Sequence, residues 1–456
     1  MCDTVFLNVA SFAASVILVC FFPASASSFS VAAIALYNLS WFAIAFLGFR
    51  LYSDETMESL ELIFRKTWKS LVCHALFMWL FFRFYGGLLH GADKFVIFCY
   101  SILACLFIIS RLYLTYLISV IVRRADLNQN VSVIGNNDED MLHLSNFFKE
   151  RNDIYNVVSA DPHHTDFFAS PENIKKRVQH AAENDVKVIY STMIPDTSEE
   201  MRRWVTLADQ HCVRLRFVPQ YQEAGRYQTL KTNSFNRFHV EYINEMEVIS
   251  LRKEPLTSLI GRIKKRTFDI LFSSFVIVFI LSWLTPIIAL LIKLESRGPV
   301  FFKQFRSGKD NKPFLCFKFR SMTVNSKSDE SQAVKNDSRI TKLGAFLRKT
   351  SLDELPQFFN VLKGTMSIVG PRPHMLKHTE QYSSSIDRYM VRQFIKPGIT
   401  GWAQVNGYRG ETSDEFLMKK RVRYDIWYLE NWNLMLDVRI VFQTVINIIR
   451  GEENAH

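Results

Sequence analysis

The sequence lacks the cysteine patterns that build disulfide frames or zinc sites. It contains seven cysteines in 456 residues, none of them in a Cys-x-x-Cys spacing. Such cysteines are typical of packing residues in a reducing or lipid environment. The chain also lacks helix-turn-helix and zinc-finger patterns, so its formal net charge of +11 favours anionic lipids and anionic substrates over nucleic acid as partners.

What the sequence has in abundance is apolar and aromatic residues, which make up 48% and 14% of the chain and are concentrated in residues 1–124. Four apolar stretches, at 5–22, 29–48, 70–89 and 95–122, each approach the roughly 20 residues that a helix needs to cross a bilayer. The first stretch lacks the basic start of a cleaved signal peptide. We therefore predict a four-helix transmembrane bundle over residues 1–124.

The basic residues between these stretches predict the orientation of the bundle. The loop between the second and third stretches is basic, with Arg50, Arg65, Lys66 and Lys69, whereas the other two turns contain at most Lys94. By the positive-inside rule, both ends of the bundle face the cytoplasm. Arg83 and Arg111 lie inside apolar stretches; snorkelling to a helix end is favoured for Arg83, and pairing within the bundle stays equally open for Arg111.

Residues 125–250 have a different pattern. Val131–Gly135 and Val186–Tyr190 are typical of buried parallel strands, and helical patterns lie between and after them, which predicts a small Rossmann-like domain. The turn at Gly135 has no G-x-G-x-x-G, so a structural domain is favoured over a dinucleotide site. The pair His163-His164 is interpreted as part of a solvated loop.

A fifth apolar segment, Ile270 to Ile292, has cations at both ends and a proline, Pro286, inside it. Positive charge on both sides argues against a simple crossing, and proline removes a backbone donor and breaks a helix. We predict a re-entrant helix over about residues 268–293, inside a third domain at 251–456. An ordinary kinked transmembrane helix is the alternative.

Three motifs follow this segment: Ser351-Leu-Asp353-Glu354-Leu-Pro356-Gln357, then Pro371-Arg372-Pro373, then Lys396-Pro-Gly-Ile-Thr-Gly401-Trp402. Adjacent carboxylates can divide nucleophile and metal duties, and an arginine between two prolines is a stiff phosphate fork. Taken alone, the Asp-Glu pair also fits a capping box with Ser351 at its start. The cations around Lys318 and Arg320 suit either a phosphate site or an interface anchor.

Together with Lys265-Arg266-x-Phe268-Asp269, Phe317-Lys-Phe-Arg-Ser-Met and the Gln404-Val-Asn406-Gly continuation of the third motif, these residues resemble the polyprenyl-phosphate hexose-1-phosphate transferases. That family comprises large monotopic-type phosphoglycosyl transferases with an added transmembrane bundle. The resemblance covers residues 262–450 densely.

The resemblance implies an integral inner-membrane enzyme with its catalytic domain on the cytoplasmic face. Asp353 would attack the β-phosphate of a UDP-sugar and release UMP, Glu354 would hold Mg²⁺, and undecaprenyl phosphate would then accept the sugar phosphate. Arg348 would meet the polyprenyl phosphate and Arg372 the nucleotide's phosphates, while Asp269 would stabilise the re-entrant segment. Supporting roles would fall to Lys318, Arg320, Pro371, Pro373, Gln404 and Asn406. A homodimer is implied by the resemblance alone.

Several alternatives stay open at this point. The stretches Gly407–Thr412 and Lys420–Asp425 resemble the branch that transfers glucose-1-phosphate, in capsule or exopolysaccharide synthesis, more than the galactose branch. An NAD-dependent epimerase or dehydratase would need a glycine-rich turn besides the Tyr227-x-x-x-Lys231 spacing. A membrane scaffold with a dead catalytic domain is the other rival. The last helical pattern, Leu436 to Ile449, is either buried against the domain or lies in the membrane interface.

Overall fold

The computed structural model describes most of the chain, and its residues divide into two compact units, 1–127 and 128–456. The predicted division into three domains stays a prediction. The described residues are 2–21, 31–53, 56, 60–85, 92–124, 129–135, 138–150, 155–161, 171–195, 197–219, 238–243, 246–323, 337, 339–408, 410 and 414–450. His163, His164, Tyr227, Lys231, Arg409, Glu411 and Thr412 lie outside these ranges.

Four helices occupy the described part of the first unit. They are α1 (Cys2–Phe21), α2 (Val31–Phe42, continued by a π-helical turn over Ala43–Gly48), α3 (Leu60–Tyr85) and α4 (Ala92–Arg124). They share one apolar core, and each overlaps one of the predicted apolar stretches. By length and composition, the Asp93–Tyr113 part of α4 could cross a membrane, and Asp3–Ile17 and Ile34–Gly48 are shorter apolar helices.

The first unit buries an ion pair between helices that are distant in sequence. Arg111 on α4 donates to Asp3 on α1 over 2.6 Å, and both side chains are more than nine-tenths buried. Tyr52 donates to the same carboxylate over 2.6 Å, which leaves the charges well hydrogen-bonded. Of the two possibilities for Arg111, the structure shows pairing within the helices rather than snorkelling.

The second unit begins with a six-stranded sheet in the order β2-β1-β3-β4-β6-β5. The strands are β1 (Gln129–Ile134), β2 (Tyr155–Asp161), β3 (Val188–Ser191), β4 (Arg214–Phe217), β5 (His239–Ile243) and β6 (Met246–Ser250). The first four are parallel to one another, β6 pairs antiparallel with β4, and β5 pairs antiparallel with β6. Helices α5 (Asp138–Lys149), α6 (Pro171–Glu183) and α7 (Ser198–Gln210) connect the parallel strands.

This sheet confirms the two parallel strands predicted from the sequence, and β1 and β3 are neighbours in it. The order 2-1-3-4 is that of a doubly wound α/β fold, whose ligands bind where the strand order reverses. At that point Met141 and Thr192 pack directly against Gly135, within 3 Å of where a β-carbon at Gly135 would lie. This packing agrees with the structural interpretation of the Gly135 turn.

A long apolar helix follows the sheet. It consists of α8 (Leu259–Val276), a π-helical turn (Ile277–Leu281) and α9 (Ser282–Glu295), and the whole length is apolar enough to span a membrane. The expected break at Pro286 is absent: the proline lies inside α9, and the wider π-helical turn comes just before it. One face of the helix packs on the core of the unit. The opposite face exposes large apolar side chains at helical spacing: Leu271, Phe275, Phe279, Trp283, Ile287, Leu290 and Leu294.

The remaining elements surround the three sequence motifs. They are the hairpin β7 (Phe301–Ser307) and β8 (Pro313–Phe319), α10 (Lys342–Lys349), α11 (Gln357–Lys363), β9 (Ser367–Val369), α12 (Leu376–Ser385), β10 (Gly398–Thr400), α13 (Trp402–Val405), α14 (Glu415–Asn431) and α15 (Leu434–Arg450). Strands β9 and β10 pair in parallel and bring the second and third motifs side by side. Helix α15 buries Leu436 and Ile440 and exposes Phe442 and Ile449.

Candidate active site

The acidic pair lies on a short 3-10 turn, Leu352–Glu354, between α10 and α11. Both Asp353 and Glu354 are only 6% exposed. Ser351 has a left-handed backbone conformation, φ 58°, and its side chain makes no capping bond. The capping-box alternative for this motif is therefore wrong. Instead, a strained residue introduces two buried carboxylates, a combination that is frequent at functional sites.

Lys318, on β8, neutralises part of this charge. Its Nζ donates to Glu354 Oε1 over 2.7 Å and lies 3.9 Å from Asp353 Oδ2. Burial raises the pKa of Asp353 above its ordinary value, and the Glu354 carboxylate raises it further, while the Lys318 ammonium opposes both effects. A carboxylate that is more basic than usual, beside an ammonium that favours its charged form, is well suited to act as a nucleophile.

Arg372 binds the carboxylate of Glu354 as well. Its Nη2 and Nη1 atoms donate to Glu354 Oε1 and Oε2 over 2.8 and 3.3 Å, a two-pronged contact. The Glu354 carboxylate raises the pKa of Arg372 further above its ordinary range. The flanking prolines, Pro371 and Pro373, lie where β9 leads out beside β10, and the Pro371 carbonyl accepts from the Gly398 N–H over 2.9 Å. The structure thus brings the first two motifs into direct contact.

Arg348 lies in the last turn of α10, five residues before Asp353, and is half-buried. Its charge acts to lower the pKa of Asp353, although less than Lys318 does. Helix α10 packs unusually close to the strand end because Gly344 has no side chain: a β-carbon there would lie 2.0 Å from the Ser321 carbonyl oxygen. The approach of α10 therefore sets the place of Arg348.

Asp269 occupies the buried side of the long helix. Its Oδ1 accepts from the Ile368 N–H over 3.0 Å and from the Ser367 hydroxyl over 2.9 Å. These bonds attach α8 to β9, the strand that leads into Pro371-Arg372-Pro373. Such contacts hold the helix on the domain, which is the kind of role that the resemblance implies for this residue.

Other predicted supporting residues lie apart from the acidic pair. Arg320 is buried and donates to the carbonyls of Ser296 and Arg297 over 2.7 Å each, so it holds the chain that leaves α9. The side chains of Gln404 and Asn406 donate within their own loop and helix, to the carbonyls of Ile399 and Trp402 over 3.4 and 2.7 Å. These contacts support local structure, and no described contact joins them to the carboxylates.

The sequence motifs gave no sign of a buried network behind Arg372. Arg392 donates to the Arg372 carbonyl and to Asp425, and its guanidinium also contacts His374. Burial, together with the charge of Arg392, lowers the pKa of His374 well below its ordinary value, so its ring is neutral. These partners lie 18 to 33 residues from Arg392 in sequence, too far apart for a local pattern to reveal them.

The donor set fits Mg²⁺ in the way that phosphate-transferring sites use it. This ion binds one or two carboxylates, keeps several waters and takes its other ligands from substrate phosphates. Asp353 and Glu354 supply two adjacent carboxylates. Among the described residues, no three His, Cys, Asp or Glu side chains cluster to hold a metal by themselves. Two buried carboxylates beside a lysine and an arginine are a combination suited to a class of site that binds and transfers phosphate groups.

Comparison with known proteins agrees with this class of site. A family model described as "Bacterial sugar transferase" matches residues 260–451. A Klebsiella pneumoniae protein named UDP-glucose:undecaprenyl-phosphate glucose-1-phosphate transferase is 52% identical over 206 residues, 45% of this chain and 44% of that protein. An Erwinia amylovora protein named UDP-galactose-lipid carrier transferase is 37% identical over 277 residues, 56% of this chain and 54% of that protein.

A third relative is shorter and is covered almost completely. It is the Exopolysaccharide production protein PSS of Rhizobium leguminosarum bv. phaseoli, 45% identical over 194 residues, which are 41% of this chain and 96% of that protein. The chain spans about half the length of the first curated relatives that it matches. It belongs to the bacterial sugar transferase family.

Proposed function

We propose that this protein transfers a hexose-1-phosphate, glucose-1-phosphate in the first place, from a UDP-sugar to undecaprenyl phosphate with release of UMP. One observation carries the proposal: in a member of this family, Lys318 and Arg372 both bind the buried Glu354 carboxylate, next to Asp353. The name of the Klebsiella relative supports glucose, and that of the Erwinia relative keeps galactose as the alternative sugar.

In the first step, an Asp353 carboxylate oxygen attacks the β-phosphorus of the UDP-sugar. The bond from that phosphorus to the bridging oxygen breaks, and UMP leaves with the electron pair. The product is an aspartyl phospho-sugar. Arg372, with its planar fork, would pair with the nucleotide's phosphates and stabilise the charge that develops on the leaving group.

In the second step, a phosphate oxygen of the lipid attacks the same phosphorus. The aspartyl–phosphorus bond breaks, Asp353 is regenerated and the sugar is linked to the lipid through a diphosphate. Arg348 would bind the lipid phosphate: it lies half-buried on α10, near Asp353, and the Leu343 N–H of the same helix donates to Glu295 at the end of α9, which supports this role. Glu354 would hold Mg²⁺, whose charge would neutralise the donor's diphosphate.

The long helix supports a re-entrant placement of the catalytic domain in the membrane. Near one end of the helix, Arg266 donates to the carbonyls of Val361 and Leu362; at the other, Glu295 accepts from the Leu343 N–H over 3.0 Å. A straight helix of this length would measure about 55 Å. Because both ends contact the same domain while the outer face is apolar and exposed, we propose that the helix enters and leaves one leaflet.

The same proposal places the four helices of the first unit across the inner membrane, with the catalytic domain on the cytoplasmic face, where UDP-sugars are found. The exposed apolar side chains along α1, α3 and α4 support lipid contact. A homodimer is part of the proposal through the resemblance alone.

The test is UMP release by the purified protein in lipid nanodiscs, with Mg²⁺, undecaprenyl phosphate and a panel of UDP-sugars. We expect lipid-dependent turnover with one sugar, and, without lipid, at most one UMP per active site together with a covalent hexose phosphate on Asp353 detected by mass spectrometry. Asp353→Asn should abolish UMP release while the protein stays folded and membrane-embedded; full turnover by this variant would remove the nucleophile assignment. No UMP from any donor would favour a scaffold.

A further inference from the structure

Arg392 is a buried residue that the proposed chemistry does not use directly. It lies on the 3-10 turn Tyr389–Phe394, behind Pro371-Arg372-Pro373, and is 3% exposed. We infer that Arg392 is a positioning residue: it holds the Arg372 carbonyl so that the Arg372 guanidinium meets Glu354 and the donor's phosphates. The inference rests on the proposed function, because the donor's diphosphate is the ligand that Arg372 would orient.

The first step is the contact itself. Nη2 of Arg392 donates to the Arg372 carbonyl oxygen over 2.9 Å. Proline rings fix φ at positions 371 and 373, so the direction of the Arg372 side chain depends on the backbone torsions of Arg372 itself. Rotation about φ of Arg372 moves its Cβ and its carbonyl group together, so a hydrogen bond that holds the carbonyl oxygen also restrains the direction of the side chain.

The backbone just before Arg372 is fixed by independent bonds. The Pro371 carbonyl accepts from the Gly398 N–H, and the Gly370 N–H donates to the Thr400 carbonyl, each over 2.9 Å. The next backbone carbonyl along the chain is that of Arg372, and the Arg392 side chain donates a hydrogen bond to it. Loss of that bond frees rotation about φ of Arg372, and this rotation would move the guanidinium away from Glu354.

Arg392 can act as a clamp because its other donors are themselves anchored. Its Nε donates to Asp425 Oδ2 over 2.9 Å, and Asp425 is 2% exposed. Its Nη1 lies 2.9 Å from Nδ1 of His374, which also lies 2.7 Å from the Tyr389 hydroxyl. Since the His374 ring is neutral, its Nδ1 can accept. A planar guanidinium reaches all three partners at once, whereas a lysine ammonium cannot.

This geometry gives Arg392 an effect that general stabilisation would not have. Arg372 faces the nucleotide's phosphates in the proposed reaction, and Arg348 faces the lipid. A residue that acts through Arg372 should therefore change the Michaelis constant for the UDP-sugar and leave that for the lipid phosphate almost unchanged. A residue that only stabilises the fold would lower the amount of active protein and leave both constants alone.

The experiment uses the full-length protein in nanodiscs and measures steady-state UMP release for wild type, Arg392→Lys, Arg372→Ala and the double variant. We expect Arg392→Lys to raise KM for the UDP-sugar about tenfold and KM for undecaprenyl phosphate less than about twofold. In the Arg372→Ala background, Arg392→Lys should change kcat/KM by less than about twofold, because its target is already gone.

Arg111→Lys is the matched control, since Arg111 is also a buried arginine and pairs with Asp3 in the first unit. It should lower thermal stability without changing KM for the UDP-sugar. If Arg392→Lys does not fold, His374→Gln removes one anchor of the clamp and should raise the same KM to a smaller extent.

The outcomes separate this inference from the proposed function. A wild type that releases no UMP refutes the proposed function. An active wild type overturns the inference alone if Arg392→Lys, or a folded His374→Gln in its place, keeps a normal KM for the UDP-sugar. Equal rises in both Michaelis constants, or effects of Arg392→Lys and Arg372→Ala that multiply, would also overturn it.

Discussion

Glu254 provides a prediction whose size follows from the structure. It lies between the sheet and α8, 6% exposed, and accepts from Arg214 over 2.6 Å and from Arg252 over 2.9 Å. Arg214 also donates to the Phe394 carbonyl over 3.1 Å. The cluster therefore connects the sheet to the turn that contains Arg392.

Burial raises the pKa of Glu254, but the charges of Arg214, Arg252 and Arg216 outweigh it and hold this pKa at about 2, against an ordinary value of 4.5. A depressed carboxylate pKa stabilises the folded state above the unfolded pKa, and this stability is lost as the pH falls toward the folded pKa. The full contribution is 4.5 minus 2, or about 2.5 pH units, which is about 3 kcal/mol. Between about pH 6 and about pH 3, roughly 2 kcal/mol of it should disappear.

The measurement is native-state hydrogen exchange of the β4 and β6 amides in nanodiscs, which gives a local free energy of opening. Wild type is compared with Glu254→Gln at each pH, so that other titrating groups cancel. We expect the advantage of wild type to shrink by about 2 kcal/mol from about pH 6 to about pH 3. Glu247→Gln, on β6, is the matched control for loss of a carboxylate. An advantage over Glu254→Gln that stays constant with pH would refute the reasoning.

Two further predictions concern the acidic pair and α10. Lys318→Met removes the ammonium nearest both carboxylates, so kcat/KM should fall by about tenfold or more, and most at low pH, because Asp353 becomes harder to ionise; an equal fall at every pH would contradict this. Gly344→Ala forces α10 away from Ser321, so we expect a loss of about 1–3 kcal/mol in stability and a higher KM for the lipid phosphate. Ala345→Val, on the exposed side of α10, should change neither.

The sequence predicted well wherever the signal is local. Local apolar patterns located β1 and β3 within a few residues, since each pattern reflects the burial of one element. They also located the long apolar helix, but this helix begins at Leu259, ahead of the predicted start at about residue 268. The motif around Asp353 and Glu354 was recognised as a unit because its residues are contiguous. Its capping interpretation failed because Ser351 adopts a left-handed conformation that composition cannot reveal.

Pro286 shows the limit of a local rule. A proline removes one backbone donor, which favours a helix break, yet a π-helical turn over Ile277–Leu281 precedes it and the chain stays helical through Glu295. Packing of the inner face on the domain core supplies free energy that the local rule does not count. The sequence therefore located the segment but not its internal geometry.

The sequence by itself determined the apolar helices, the α/β sheet and the motifs of the family, because these depend on residue type and short spacing. Tertiary structure determined which partners the buried charged side chains bind. It paired Arg111 with Asp3, directed Arg320 to carbonyls beyond α9 and placed Arg392 behind Arg372, across 108, 24 and 20 residues respectively. Buried charges need partners, and only the packing of distant elements determines which partner lies within hydrogen-bonding distance.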